Sequence, residues 1–391
     1  MKIVSPATTS DYRLLAQKRL PRFLFDYVDG GSNGETTLQT NTQDFQKVEL
    51  KQRVMKDVSN TSCATSILGQ SLSMPLALAP VGMAGMMCRR GETIGARVAH
   101  KLSIPFSLST LGICSIQEVN ESSPSPCWFQ LYMLKDRAAV ESLLQRALDN
   151  GSHTLVFTVD LAVTGIRHRD TRSGMIGNNA AAMALNKCQQ IISRPKWVLD
   201  VALKGKPHTV GNLAHLVPNP TDLNAYKNWI DSQFDPSVTW EDIKWLRDRW
   251  PGKLILKGIM EPADALMAVD AGADAVIVSN HGGRQLDGTA SPLSKLPLIC
   301  ETVGQQVDVL MDGGVRNGID VVKAVALGAK AVMIGRPWIW AAASQGEAGL
   351  EKMLLSYQQE ISTAMSLMGV NRIDQLSLDT LENPHLFDRP A

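Results

Sequence analysis

Eight short apolar runs, most of them closed at the C-terminal end by a polar residue or glycine, leave few architectures open to this chain. They are Leu76–Pro80, Phe106–Thr110, Trp128–Tyr132, Leu155–Asp160, Leu254–Lys257, Ala275–Asn280, Val309–Asp312 and Ala331–Gly335. Most are continuously apolar, the pattern of parallel strands buried on both faces. Segments of helical spacing lie between them, as at Asp136–Asn150, Trp240–Trp250, Pro262–Ala271 and Gly318–Gly328. Strand and helix signals in alternation predict a parallel α/β fold. Two modules also resemble each other, Ala268–Val278 and Val325–Ile334. In each, a helix ends near a glycine and the next strand starts after Ala-x-Ala-Val. Such repetition favours a closed eightfold barrel over an open sheet.

The competing motifs fail on context. A doubly wound nucleotide-binding sheet announces itself with G-x-G-x-x-G after its first strand, and the chain has no such match. Gly313 and Gly318 have P-loop spacing, but Ile319 stands where that loop needs Lys. Gly30–Gly34 satisfies G-x-S-x-G around Ser32, yet it follows a helix-like segment, Pro21–Asp29, where a nucleophile elbow requires a strand. The expected architecture is therefore α/β: a (β/α)8 TIM barrel over about residues 74–345, with an N-terminal helical extension and a long insertion after strand four, all in one domain spanning residues 1–391.

Composition narrows the partners. Lys+Arg 39 against Asp+Glu 38 leaves a net charge of +1, so no nucleic acid is expected. The six cysteines show neither C-x-x-C pairs nor metal-like spacing, which predicts reduced thiols and no metal. Met1–Asp11 does not read as a secretory leader. The longest greasy stretch, Met74–Cys88, is too short to span a bilayer and carries Pro75, Pro80, Gly82 and Gly85. The insertion, residues 171–220, opens with Gly174, Gly177, Asn178 and Asn179 and is locally basic. It holds Arg172, Lys187, Arg194, Lys196, Lys204 and Lys206 against Asp200 alone, interleaved with Ile191, Ile192, Trp197 and Leu199. A loop of this kind either lies on an anionic membrane surface or serves as a lid or subunit contact.

In an eight-stranded barrel the reactive groups come from the C-terminal ends of several strands. Those ends carry Gly82, Ser109, Gln130 with Tyr132, Thr158 with Asp160, and Lys257, followed by His281 with Arg284. The imidazole of His281 is the side chain suited to serve as a base, and Arg284 can grip a carboxylate with two parallel hydrogen bonds. Asp312, Gly313 and Gly314 with Arg316, and Gly335 with Arg336, close the last two strands, where this fold builds its phosphate cradle. Lys257 at the end of an apolar strand needs an anionic partner, and a reduced flavin ring is one.

With these residues in place, the chain resembles the FMN-dependent L-2-hydroxy acid oxidases and dehydrogenases. The likeness runs from about Asp11 to Gly369 and rests on Leu24–Gly31, Ala79–Gly82, Trp128–Tyr132, Phe157–Asp160, Leu256–Gly258, Ser279–Asp287, Asp312–Gly318 and Ile334–Pro337. Gly165–Asp170 and Phe234–Ser237 draw it toward the bacterial, quinone-linked L-lactate dehydrogenase branch.

The resemblance implies roles. Tyr27 and Tyr132 would hydrogen-bond the substrate, and Arg167 and Arg284 would clamp its carboxylate. Ser109, Gln130, Thr158 and Lys257 would contact the isoalloxazine of FMN. Asp312, Gly313, Gly314, Arg316, Gly335 and Arg336 would hold its ribityl chain and phosphate. His281 would be the base, taking either the α-proton or the hydroxyl proton, with Asp160 as its carboxylate partner. The reaction implied is oxidation of a small L-2-hydroxy acid, L-lactate first, to the 2-oxo acid, with electrons passed to a membrane quinone or other carrier. The alternatives are an oxygen-dependent oxidase releasing hydrogen peroxide and a mandelate- or glycolate-type dehydrogenase. Gly82 stands where oxygen-using relatives tend to carry Ala, which favours the dehydrogenase; it would also serve simply as a turn residue. The resemblance further implies a homo-oligomer, tetrameric in many members. The expected location is cytoplasmic, peripheral on the inner face of the inner membrane.

Overall fold

The computed structural model describes residues 4–177, 180–217, 229 and 232–388. A short hairpin, β1 (Thr65–Ile67) and β2 (Gln70–Leu72), precedes eight parallel strands. These are β3 (Leu76–Leu78), β4 (Ser107–Ser109), β5 (Trp128–Leu131), β6 (Thr154–Thr158), β7 (Lys253–Ile259), β8 (Ala275–Val278), β9 (Asp308–Asp312) and β10 (Ala331–Ile334). Strands β4 to β10 pair in chain order, β10 pairs with β3, and a parallel bridge from Leu78 to Phe106 closes the ring. Each of the eight strands coincides with one of the apolar runs, and the fold is a (β/α)8 barrel.

Two cores follow from the period of two along each strand. Outward residues pack under the helices. Inward residues near the N-terminal strand ends, among them Trp128, Val156, Ile255, Ile277, Leu310 and Met333, form a separate apolar plug. Ile67 and Leu72 of the hairpin belong to this plug and seal that end of the barrel. Two residues further along the same strands, the same parity brings Gln130, Thr158, Lys257, Ser279 and Asp312 to the interior at the other end. The strands therefore change from apolar to polar along their length, and the site forms where they do.

The N-terminal extension is helical, as expected. Helix Thr9–Arg19 starts at a capping box between Thr8 and Asp11, and helices Arg22–Asp29 and Thr36–Lys47 follow. The first of them lies on the last helix, Arg336–Leu367, where Thr9 Oγ1 meets the buried Tyr357 hydroxyl at 2.8 Å. The third reaches the barrel through a reciprocal amide pair, Asn41 with Asn280, both bonds 2.8 Å. Such a buried pair leaves no polar group of the two contacts unmatched.

The insertion, expected as a basic loop, is largely helical: His168–Arg172, Ala180–Ile192, Pro195–Trp197 and a π-turn, Val198–Leu203. Alanine content and apolar spacing drive this. Asn178 and Asn179 and the end of the segment, 218–220, lie outside the described residues. The insertion is pinned to the barrel by Trp197 Nε1 donating to Met86 O (2.9 Å), and to the N-terminal extension by Phe23 N donating to Gln190 Oε1 (2.8 Å) and Arg194 Nε to Leu20 O (3.0 Å). Leu185, Ile192, Leu199 and Leu203 remain exposed along it. Among the described residues, no helix is long and apolar enough to cross a membrane. The chain rejoins the barrel at Phe234, bridged to Leu134, with Arg137 Nη2 bound to Asp235 (2.8 Å) and Asp242 (2.7 Å).

Candidate active site

A cavity of about 460 Å3 opens at the C-terminal ends of the strands. Beneath it runs a series of hydrogen bonds between strand ends, of which Thr158, Lys257 and Asp312 reach the cavity. Ser109 Oγ donates to Gln130 Oε1 (3.1 Å), and Gln130 Nε2 to Thr158 Oγ1 (3.0 Å). On the next strand, in register with Thr158, Lys257 Nζ donates to Ser279 Oγ (2.8 Å) and pairs with Asp312 Oδ2 (2.8 Å). Burial pulls the Lys257 ammonium down, but Asp312 and Asp160 outweigh it and hold the group above its ordinary range, so it stays charged.

His281 follows β8 in a left-handed backbone conformation, φ 57°, uncommon for a residue with a side chain. Strain of this kind, about 1–3 kcal/mol, persists where the surroundings over-determine it. Here the surroundings are Ser279 Oγ, which accepts from His281 N (3.0 Å), and Asp160 Oδ1, which meets His281 Nδ1 at 2.8 Å. Engagement of Nδ1 leaves Nε2 for a ligand. Burial raises the Asp160 carboxyl, but His281, by charge and hydrogen bond, and then Lys257 bring it below the usual carboxylate range. Its second oxygen, Oδ2, is buried without a partner.

Two guanidinium groups stand against the Tyr27 ring, Arg284 at 5.1 Å and Arg167 at 5.8 Å from its centre. Arg167 has Asp170 as counter-ion (2.9 Å). Arg284 donates instead to the carbonyls of Tyr27 (2.6 Å) and Gly30 (3.0 Å). Burial and the neighbouring Arg167 push it below the ordinary arginine range. An anion bound there would relieve both effects. Burial and the nearby Asp160 raise the Tyr132 phenol, so it remains a protonated donor.

A second cationic region lies at β9 and β10. Burial pushes Arg316 down and Arg336 well down, the latter opposed further by Arg284 and Arg316. Arg316 lies against Trp340, while Arg336 donates to Asp29 O (3.1 Å), Gly282 O (2.9 Å) and Gly30 O (2.8 Å). Gly313 and Gly314 turn the chain beneath them with φ 91° and 94°. A side chain at Gly314 would collide with the Asn41 carbonyl. Asp312 Oδ1 is buried without a partner. The region thus offers positive charge, close backbone and a free acceptor to an elongated ligand with an anionic end.

The sixteen residues that the resemblance assigns to substrate, FMN or proton transfer lie at the C-terminal end of the barrel or in the loops and helix that cover it. Ser32, by contrast, is fully buried, and its backbone N–H donates to Gly283 O at 2.9 Å.

Residues that sequence reasoning passed over tie the loops together. Gln285 Nε2 donates to Asp160 O (2.8 Å) and Val163 O (2.9 Å), while its Oε1 accepts from Gly165 N (3.2 Å). It links the segment carrying Asp160 and Arg167 to the one carrying His281 and Arg284. The two segments touch so closely that a Cβ at Gly165 would strike the Arg284 carbonyl. Asp29, buried, pairs with Arg13 and with Arg169 (2.7 Å), fixing the segment whose carbonyls hold Arg284 and Arg336. Asp29 and Gln285 both sit inside stretches that carry the resemblance, without a chemical role to mark either.

Comparison with known proteins agrees with this geometry. The profile of the FMN-dependent dehydrogenases matches residues 16–383. An L-lactate dehydrogenase of Caulobacter sp. (strain K31) is 48% identical over 375 residues, covering 96% of this chain and 98% of that one. One from Yersinia pestis (strain Pestoides F) is 48% identical over 379 residues, covering 97% and 98%. Among solved structures, the monotopic membrane protein (S)-mandelate dehydrogenase superposes with a TM-score of 0.90 at 36% identity, covering 97% of this chain and all of that one. A mandelate oxidase superposes with a TM-score of 0.81 at 32% identity, covering 97% and 98%. With a matching profile over nearly its whole length and near-half identity to full-length relatives, the chain belongs to the FMN-dependent dehydrogenase family, and it is an oxidoreductase that works with FMN.

Proposed function

We propose that the chain oxidises a short L-2-hydroxy acid, L-lactate first, to the 2-oxo acid and passes the electrons to a membrane quinone. The observation that carries this reading is the pair of guanidinium groups, Arg167 and Arg284, on the Tyr27 ring beside the hydrogen-bonded His281 and Asp160. A carboxylate gripped there brings its α-carbon to a base.

The residues present fit FMN. The buried cations Arg316 and Arg336 and the close backbone of Gly313, Gly314 and Gly335 suit a phosphate. The unmatched Asp312 Oδ1 suits a ribityl hydroxyl. Ser109, Gln130, Thr158 and Lys257 would line the ring. When bound, FMN supplies the two-electron acceptor. The chain's own work is then to orient and to hold a proton. Arg284, Arg167 and Tyr27 grip the carboxylate, Tyr132 donates to the substrate, and His281 Nε2 receives the proton while Asp160 stabilises the imidazolium.

Two outcomes test these roles. Asp160→Asn removes a charge-assisted hydrogen bond worth about 1.5–3 kcal/mol, so kcat should fall about 10- to 150-fold with KM little changed. Arg284→Lys replaces a planar fork by a point charge, and KM for L-lactate should rise about tenfold or more while FMN remains bound. Steady-state kinetics with an artificial acceptor read both.

The dehydrogenase reading gains support at Gly82, where an added methyl would press on the Tyr27 hydroxyl and on Leu111 Cβ, at 3.2 and 3.3 Å. The membrane reading gains support from the exposed Leu185, Ile192, Leu199 and Leu203 beside Lys196 and Lys204, and from the likeness to the monotopic membrane protein (S)-mandelate dehydrogenase. Anaerobic bleaching of the flavin by a panel of L- and D-2-hydroxy acids is the primary test. Failure of every L-acid would overturn the assignment, and fast reoxidation by oxygen would replace the dehydrogenase by an oxidase.

A further inference from the structure

Phe234 is the one aromatic residue that the insertion, on its return, delivers into the cavity wall among the described residues. Its ring stands edge-on to Tyr132, centres 5.6 Å apart and planes at 81°. The contact is held from behind. Lys135 N donates to Gln233 O (2.8 Å), Phe234 bridges Leu134, and Arg137 binds Asp235. The ring is therefore fixed by backbone and ion-pair anchors on both sides and is nearly buried, 9% exposed.

We propose that Phe234 limits the size of the side chain that the acid can carry. The inference rests on the reading of the site as one for L-2-hydroxy acids. Such a substrate presents a carboxylate, a hydroxyl-bearing α-carbon and a side chain. The arginines and Tyr27 answer the first, and His281 and Tyr132 the second. The rest of the wall includes the apolar residues Met83, Leu111, Leu161 and Phe234. Of these Phe234 is the largest, and it abuts the phenol that would bond the substrate. The volume available, about 460 Å3, sits low in the range of about 300–1,000 Å3 usual for one drug-sized ligand, yet it must take a cofactor and an acid together. On this proposal a short side chain is accommodated beside Phe234, and a bulkier one meets the edge of its ring.

The experiment compares the holoenzyme with Phe234→Leu and Phe234→Ala in anaerobic flavin reduction by L-lactate, L-2-hydroxyisocaproate and (S)-mandelate. One methylene of pocket space changes discrimination about 10- to 200-fold. The ratio of kcat/KM for the bulky acids to that for L-lactate should therefore rise at least about tenfold in Phe234→Ala, with Phe234→Leu between it and the parent. A loss of stability alone would lower all three rates together and leave the ratio where it was. An unchanged ratio in variants that still bind FMN overturns the proposal; if Phe234→Ala fails to fold, Phe234→Leu decides by the same criterion. A parent enzyme bleached by no L-2-hydroxy acid overturns the underlying assignment, whereas one bleached by L-lactate with unmoved variant ratios overturns only the role of Phe234.

Discussion

Replacing His281 with Gln is expected to leave the protein folded and yellow while slowing flavin reduction by L-lactate about 10²- to 10⁴-fold, the usual contribution of a positioned general base. Gln can keep a hydrogen bond to Asp160 but cannot take up the substrate proton. The binding groups are untouched: Arg284 is held by the carbonyls of Tyr27 and Gly30, and Arg167 by Asp170. Substrate affinity should therefore change far less than rate, so the loss appears in kcat and in kcat/KM alike. Stopped-flow absorbance of the oxidised flavin separates the two, and reduction at the parental rate would remove His281 from the chemistry.

Lys257→Met should have the largest effect on the holoenzyme as a molecule. Lys257 and Asp312 form a buried ion pair, their side chains 5% and 10% exposed. Removing one partner of such a pair strands the other charge, at a cost of about 3–5 kcal/mol. Asp312 has little to fall back on, because its other oxygen already lacks a partner. Denaturant midpoints should drop and FMN content with them. Lys257→Met combined with Asp312→Asn should recover part of the loss, since the double variant strands no buried charge. A single variant within about 1 kcal/mol of the parent, against the 3–5 kcal/mol expected of a broken buried pair, would contradict this account.

The barrel was legible because parallel strands covered on both faces are written as unbroken apolar runs, and all eight runs became strands. The site was legible for a related reason: residues such as Lys257 and Asp312 are polar where the inward parity demands burial. The hairpin that seals the barrel floor was not legible, since three residues per strand carry too little periodicity to register. The insertion misled as a loop because its glycines and basic residues masked the helical spacing of Ala180–Ile192. Gln285 and Asp29 escaped for a different reason. Their work is to bind main-chain groups and ion-pair partners far away in sequence, and no local pattern reports a contact made across 125 or 140 residues. Phe234 likewise reaches the cavity only because its neighbours are stitched to the loop after β5.

The Gly30 carbonyl accepts from both Arg284 and Arg336, and the Asp29 carbonyl from Arg336, contacts spanning 254 to 307 positions. During synthesis the segment bearing these carbonyls must therefore wait for chain at least 254 positions later before either guanidinium is aimed. A message truncated before β10 would encode most of a barrel in which Arg284 could still be aimed, while the second guanidinium sharing the Gly30 carbonyl, Arg336, would be missing.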